Sequence, residues 1–162
     1  MPSIWQALRN SASRLVLDMH EAWYNWGNAL LDLAQQKQDE ALYREGFAKY
    51  ARAVEIKPDK HEVWNNWGIS LLAYAQSNSG AKKKKYFKEA ERILLKAEQI
   101  NSKEVYNLAC FYALEGNEEK CRAKLLHCEQ ERTLPSKQHL LEDKDLEHVR
   151  SLDWFVQLTE SL

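Results

Sequence analysis

The 162-residue chain is 44% hydrophobic and 29% charged, a balance that fits a folded domain and excludes a disordered segment. Its formal net charge of −1 excludes the densely basic surface that nucleic acid demands, and five Gly and three Pro leave strands and tight turns little punctuation, so the composition favours an all-α domain. Three cysteines, Cys110, Cys121 and Cys128, form no CxxC pair and fit a reducing compartment, taken as the cytoplasm, better than a disulfide framework.

In chain order, Trp5, Leu8, Ala12, Leu15 and Met19 fall at helical spacing and predict a short amphipathic helix over 3–19. Arg9 and Arg14 interrupt any apolar run there, so neither a signal peptide nor a membrane span is expected. A second helix is expected from Trp23 to about Gln36, with Trp23, Trp26, Leu30, Leu31 and Ala34 on its core side, and a third from about Asp39 to Lys57, stopped by Pro58. Val63 to Gln76 follows, then a polar loop Ser77-Asn78-Ser79-Gly80, then a helix to about Ile100. A further pair runs through Val105–Tyr112 and Glu118–Arg132, parted by Gly116-Asn117. In the tail, Leu146, Val149, Leu152, Phe155 and Leu158 recur every third residue, and Asp153 is expected to cap a last helical turn at Trp154.

The helices are copies of one another. His20-Glu21-Ala22-Trp23-Tyr24-Asn25-Trp26-Gly27 returns 41 residues later as His61-Glu62-Val63-Trp64-Asn65-Asn66-Trp67-Gly68, and an eroded third copy places Val105, Leu108, Ala109 and Tyr112 at the same offset. Trp23, Trp26-Gly27, Leu30, Gly46, Tyr50, Ala53 and Pro58, with their counterparts Trp64, Trp67-Gly68, Leu71, Ala90, Leu94 and Ala97, resemble the tetratricopeptide repeat in its bacterial version. That family's unit is about 34 residues, so the first repeat holds about seven extra residues between its helices and the second about ten, as longer helices or enlarged loops. The resemblance implies a right-handed α-solenoid of three antiparallel helical hairpins. A single domain over 1–162 is expected, with an N-terminal capping helix at 3–19, repeats at 20–60, 61–101 and 102–133, and a helical C-terminal cap at 134–162.

Members of such a family bind a peptide or helix of another protein in a groove lined by the first helix of each repeat. Carried over position by position, the groove would hold Tyr24, Asn65 and Tyr106; Asn25, Asn66 and Asn107; Asn28, Ile69 and Cys110; with Asp32 one turn on and Lys103 at a basic position. The asparagines can bond either the backbone of a bound peptide or their own neighbouring helices. The family's carboxylate-binding variant is disfavoured, because two of its basic positions hold Tyr24 and Asn107.

Lys82-Lys83-Lys84-Lys85 with Lys88 reads either as a site for an acidic partner or as a solvated face whose stems cover Tyr86 or Phe87. His127-Cys128 makes no catalytic pair, since neighbours on a helix point about 100° apart, and the histidines show no metal-ligand spacing with the cysteines. The expectation is a non-enzymatic adaptor without cofactor or metal, monomeric or weakly self-associating, whose partner is another protein and not nucleic acid. The alternative is a self-assembling structural subunit joined through Trp5 or through Trp154-Phe155, or a chaperone-like component of a larger complex.

Overall fold

The structure, a computed structural model, describes residues 4–162, and within 4–18 it describes the side chains of Gln6 and Leu15 only. The described residues are all-helical, without strands: α1 Ile4–Lys37, α2 Glu40–Ile56, α3 His61–Gln76, α4 Gly80–Ile100, α5 Tyr106–Glu115, α6 Glu118–Gln130, α7 Lys137–Glu142 and α8 Asp153–Glu160, with a single 3-10 turn at Lys144–Leu146. Helices α1 and α2, α3 and α4, and α5 and α6 pack as three hairpins, and α2 then touches α3 and α4 touches α5, so the hairpins stack in sequence order.

Two expectations are corrected here. The separate helix over 3–19 does not exist as such: α1 runs unbroken to Lys37, because no Gly or Pro lies between Ser3 and Trp26 to stop it. Paired antiparallel across the Gln38-Asp39 turn, Ile56 at the end of α2 reaches back only to about residue 21 of α1, so roughly the first half of α1 extends beyond its partner. Trp5, Leu8 and Ala12, expected to cap the stack, lie outside the described side chains. At the other end Asp153 is the first residue of α8 rather than its cap; Leu152 occupies the cap position and makes no side-chain bond.

The extra residues of the first two repeats are helix, not loop. Only Gln38 and Asp39 separate α1 from α2, with Gln38 at φ 54° and Asp39 capping Ala41 and Leu42 through Oδ1. On the added turns, Tyr43, Tyr74 and Tyr86 gather with the adjacent Phe47 into one cluster, with the Tyr43 and Tyr74 rings 4.2 Å apart. The third hairpin lacks such turns. Gly116, at φ 82°, ends α5 in the left-handed conformation that glycine adopts freely, and Asn117 caps α6 by accepting from the Lys120 N–H.

Glycines let the helices of a hairpin close up. A Cβ on Gly27 would sit 2.8 Å from Tyr50 Cδ1, and one on Gly68 2.5 Å from Leu94 Cγ. The core continues through Ile93, Leu108, Phe111, Leu125, Cys121 and Cys128 into the tail, where Leu140, Leu146 and Phe155 are fully buried. Trp154 donates its indole N–H to Glu118 Oε1 at 2.8 Å beside the buried Phe155, so the tail packs on the third hairpin as the expected cap would, and the alternative of a Trp154-Phe155 docking surface loses its Phe155. None of the described helices is long and apolar enough to cross a membrane.

Candidate functional site

The first helices of the hairpins, α1, α3 and α5, share a face marked by three shallow hollows. One of 330 Å3 lies between α1 and the start of α3, lined by His20, Glu21, Tyr24, Asn25, Lys60, Glu62 and Val63; one of 370 Å3 lies beyond it, lined by Asn28, Leu31, Asp32, Tyr50, Asn66, Ile69 and Ser70; a third of 260 Å3 lies between α3 and α5, lined by Asn65, Glu104, Tyr106, Asn107 and Thr133. Nine of the eleven groove positions read from the sequence line these hollows; Cys110 is buried away from them, and Lys103 is exposed and paired with Glu131 at 3.3 Å.

Most of the polar groups on this face are bonded to one another. Asn66 donates through Nδ2 to the Tyr24 hydroxyl, tying α3 to α1, and the Tyr50 hydroxyl donates to Asn28 Oδ1, tying α2 to α1. Asn107 Nδ2 donates to Asn65 Oδ1 at 3.0 Å, tying α5 to α3. Tyr24 also stacks on Tyr50, ring centroids 5.9 Å apart, and burial pushes the Tyr50 phenol up to about 12. Of the two roles open to the asparagines, bonding between helices is the one Asn28, Asn65, Asn66 and Asn107 perform. Each joint uses a side chain that is both donor and acceptor to fix one helix against the next.

Tyr106 serves the tail. Its hydroxyl donates to Asp143 Oδ2 at 2.7 Å, the buried Cys110 thiol approaches the same oxygen at 3.8 Å, and Arg150 Nη2 donates to the Asp143 carbonyl at 2.9 Å. Asp145 caps nothing but accepts from Gln76 Nε2 of α3 at 3.3 Å, and burial raises its carboxyl above the usual range. Cys110, Asp143 and Asp145 bring possible ligand atoms within 4.8 Å of one another, yet the bonds to Asp143 are those of a clamp between tail and stack. Cys110, assigned to the groove from the sequence, is buried, and its thiol is held well above its ordinary value by desolvation and the neighbouring Asp143. Burial likewise pushes Cys121 up to about 12, so these thiols stay protonated and unreactive at neutral pH.

What remains open on the face is Asn25, Asp32 and Ile69, all exposed, with Glu21 beside them, whereas Glu62 and Glu104 both approach the His61 ring, at 3.4 Å and 3.1 Å. The glutamates were not singled out from the sequence, although Glu21 and Glu62 are equivalent residues of the doubled segment, which is the signal that could have found them. Thr133, which donates to the Lys103 carbonyl at 2.7 Å, stands at the very end of the third repeat and has no such signal.

A family model described as plant specific mitochondrial import receptor subunit TOM20 matches residues 10–143, most of the chain and all three hairpins but short of α8. No curated protein matches. The match keeps the helical-repeat character read from the sequence and corrects its bacterial attribution, since the matching family is plant-specific.

Proposed function

We propose, from the premise that this chain belongs to the plant-specific mitochondrial import receptor subunit TOM20 family, that the α1/α3/α5 face receives a segment of a partner protein. The segment that fits is basic with an apolar side. Asp32, Glu21 and Glu62 offer carboxylates along the groove, and Ile69 offers an exposed apolar contact in the same hollow as Asp32. The observation that supports this most is the division of labour on the face: the helix-to-helix bonds consume the asparagines and tyrosines and leave this acidic and apolar strip unpaired with them. We read the chain as a receptor rather than an enzyme, and as acting where its family does, in mitochondrial import, with the groove facing the cytosol.

Fluorescence anisotropy with a labelled basic amphipathic peptide tests the reading. Asp32→Arg and Ile69→Glu should each weaken binding about tenfold without changing the melting temperature, both residues being exposed. Unchanged affinity in both variants would sink the assignment.

A second reading, self-association, is favoured by one observation. Leu15, Met19, Ala22, Trp26, Ala29 and Leu33 are all exposed on α1 and alternate at spacings of four and three, the seam of a coiled coil, and Trp5, Leu8 and Ala12 continue that register in the sequence. A second copy of α1 has the matching period. Light scattering over a concentration series, with Leu15→Glu and Met19→Glu beside the native chain, decides it: a strict monomer at all concentrations removes this reading.

A further inference from the structure

The lysine run belongs to a hollow that the groove does not share. Helix α4 begins at Gly80, ten residues before Ala90, whereas α6 begins at Glu118, only three before its equivalent Cys121. The opening two turns of α4 therefore overhang the third hairpin by about 10 Å. Beneath the overhang is a hollow of 710 Å3 between α4 and α5, floored by Phe87, Phe111 and Leu114 and edged by Lys83, Lys84 and Lys88. Its size is that of a ligand or peptide-anchor pocket.

Three features point to what it takes. Lys82 is held by Glu40, and Lys85 and Lys83 lie over the Tyr86 and Phe87 rings at 5.2 Å and 5.9 Å, but Lys83, Lys84 and Lys88 have no ion-pair partner among the described residues. The acids of the rim are fewer: Glu91 accepts from the Tyr112 hydroxyl at 3.4 Å, and Glu115 sits at the far end. Finally, four lysines fill the opening turns of a helix whose first turn contains no acid, against the preference of the helix dipole for negative charge there. A sequence that opposes its own helix gains from an anion docked at that end.

We propose that this hollow is a second docking site, for an acidic peptide segment that seats a bulky apolar side chain on Phe87, Phe111 and Leu114 and sets flanking carboxylates on Lys83, Lys84 and Lys88. It goes beyond the groove reading, with opposite charge preference and no lining residue in common with the groove hollows. The test is anisotropy with a fluorescein-labelled peptide carrying Leu-Phe between pairs of Glu. The same peptide with Ala-Ala at the anchor, and vesicles of phosphatidylcholine with phosphatidylglycerol, are run beside it. Saturable binding is expected, lowered about tenfold or more by the double variant Lys84→Glu, Lys88→Glu and by the Ala-Ala peptide, and unaffected by Asp32→Arg in the groove. Absence of peptide binding, equal binding of the Ala-Ala peptide, affinity kept in the double variant, or binding to the vesicles alone would each overturn the proposal.

Discussion

Trp26 and Trp67 occupy the same place in two copies of one segment, stack on Trp23 and Trp64 in the same way, and live in opposite environments. The ring pairs are 5.4 Å and 5.8 Å apart, nearly parallel in both, yet Trp26 is 48% exposed and Trp67 only 8%. Local structure is thus set by the repeat, while burial is set by position in the stack: the second copy has a hairpin before it and the first has none. Partner residues follow suit. Lys49 of α2 lays its ammonium 3.8 Å from the centre of the Trp26 ring and pairs with Glu45, while Ile93, at the equivalent place in α4, is fully buried. An aliphatic stem with a charged tip covers an aromatic ring at a wet end of the stack, and a plain hydrocarbon serves inside.

The strongest way to break this comparison is Trp67→Ala against Trp26→Ala. Emptying the Trp67 site should cost about 3–5 kcal/mol in urea unfolding, and the exposed copy less than about 1 kcal/mol. Equal losses would show that the two copies are not distinguished by stacking. Next comes Gly68→Ala, whose methyl group meets Leu94 at 2.5 Å and should cost about 1–3 kcal/mol; the helices must part, so crosslinking between α3 and α4 should report it as well. Tyr106→Phe, which removes the donor to Asp143, should cost about 1 kcal/mol and raise amide exchange in the tail beyond residue 137.

A pH test sharpens the same account at the joint between Tyr50 and Asn28. Because the Tyr50 phenol is raised from 10.0 to about 12 in the folded chain, its contribution to stability is complete below pH 10 and falls away as the pH rises through 12. Alkaline titration followed by phenolate absorbance should show a late-ionising group of tyrosines, since burial raises Tyr106 and Tyr112 as well, and that group should be smaller by one in Tyr50→Phe. The smallest effect belongs to Asn25→Ala, exposed and outside the inter-helix bonds, within about 0.5 kcal/mol of the native chain by thermal melting.

Much of this architecture is legible in the residues. The doubled Trp-x-x-Trp-Gly, the caps Asp39 and Asn117 and the stop at Gly116 fall where local chemistry demands them, and local chemistry is what a sequence displays. The continuity of α1 was legible too, since its apolar seam keeps one register from Leu15 to Leu33 and no Gly or Pro between Ser3 and Trp26 precedes Gly27, but attention to the repeat boundary divides it. The roles of the asparagines were not legible, because the partner of Asn28 is Tyr50, that of Asn66 is Tyr24 and that of Asn107 is Asn65, and each pairing exists only once helices are stacked. The overhang of α4 could be counted from the spacing, whereas the apolar floor beneath it depends on Phe111 facing across from another hairpin.

The central claim is that the acidic strip of the α1/α3/α5 face holds the partner while the Asn and Tyr joints hold the helices. Backbone amide shift mapping by NMR, on the intact chain titrated with a basic amphipathic peptide, tests it most directly. Shifts concentrated at Glu21, Asn25, Asp32, Glu62 and Ile69 are the result expected. Shifts confined to α2, α4 or α8, with the α1/α3/α5 face unmoved, would contradict it.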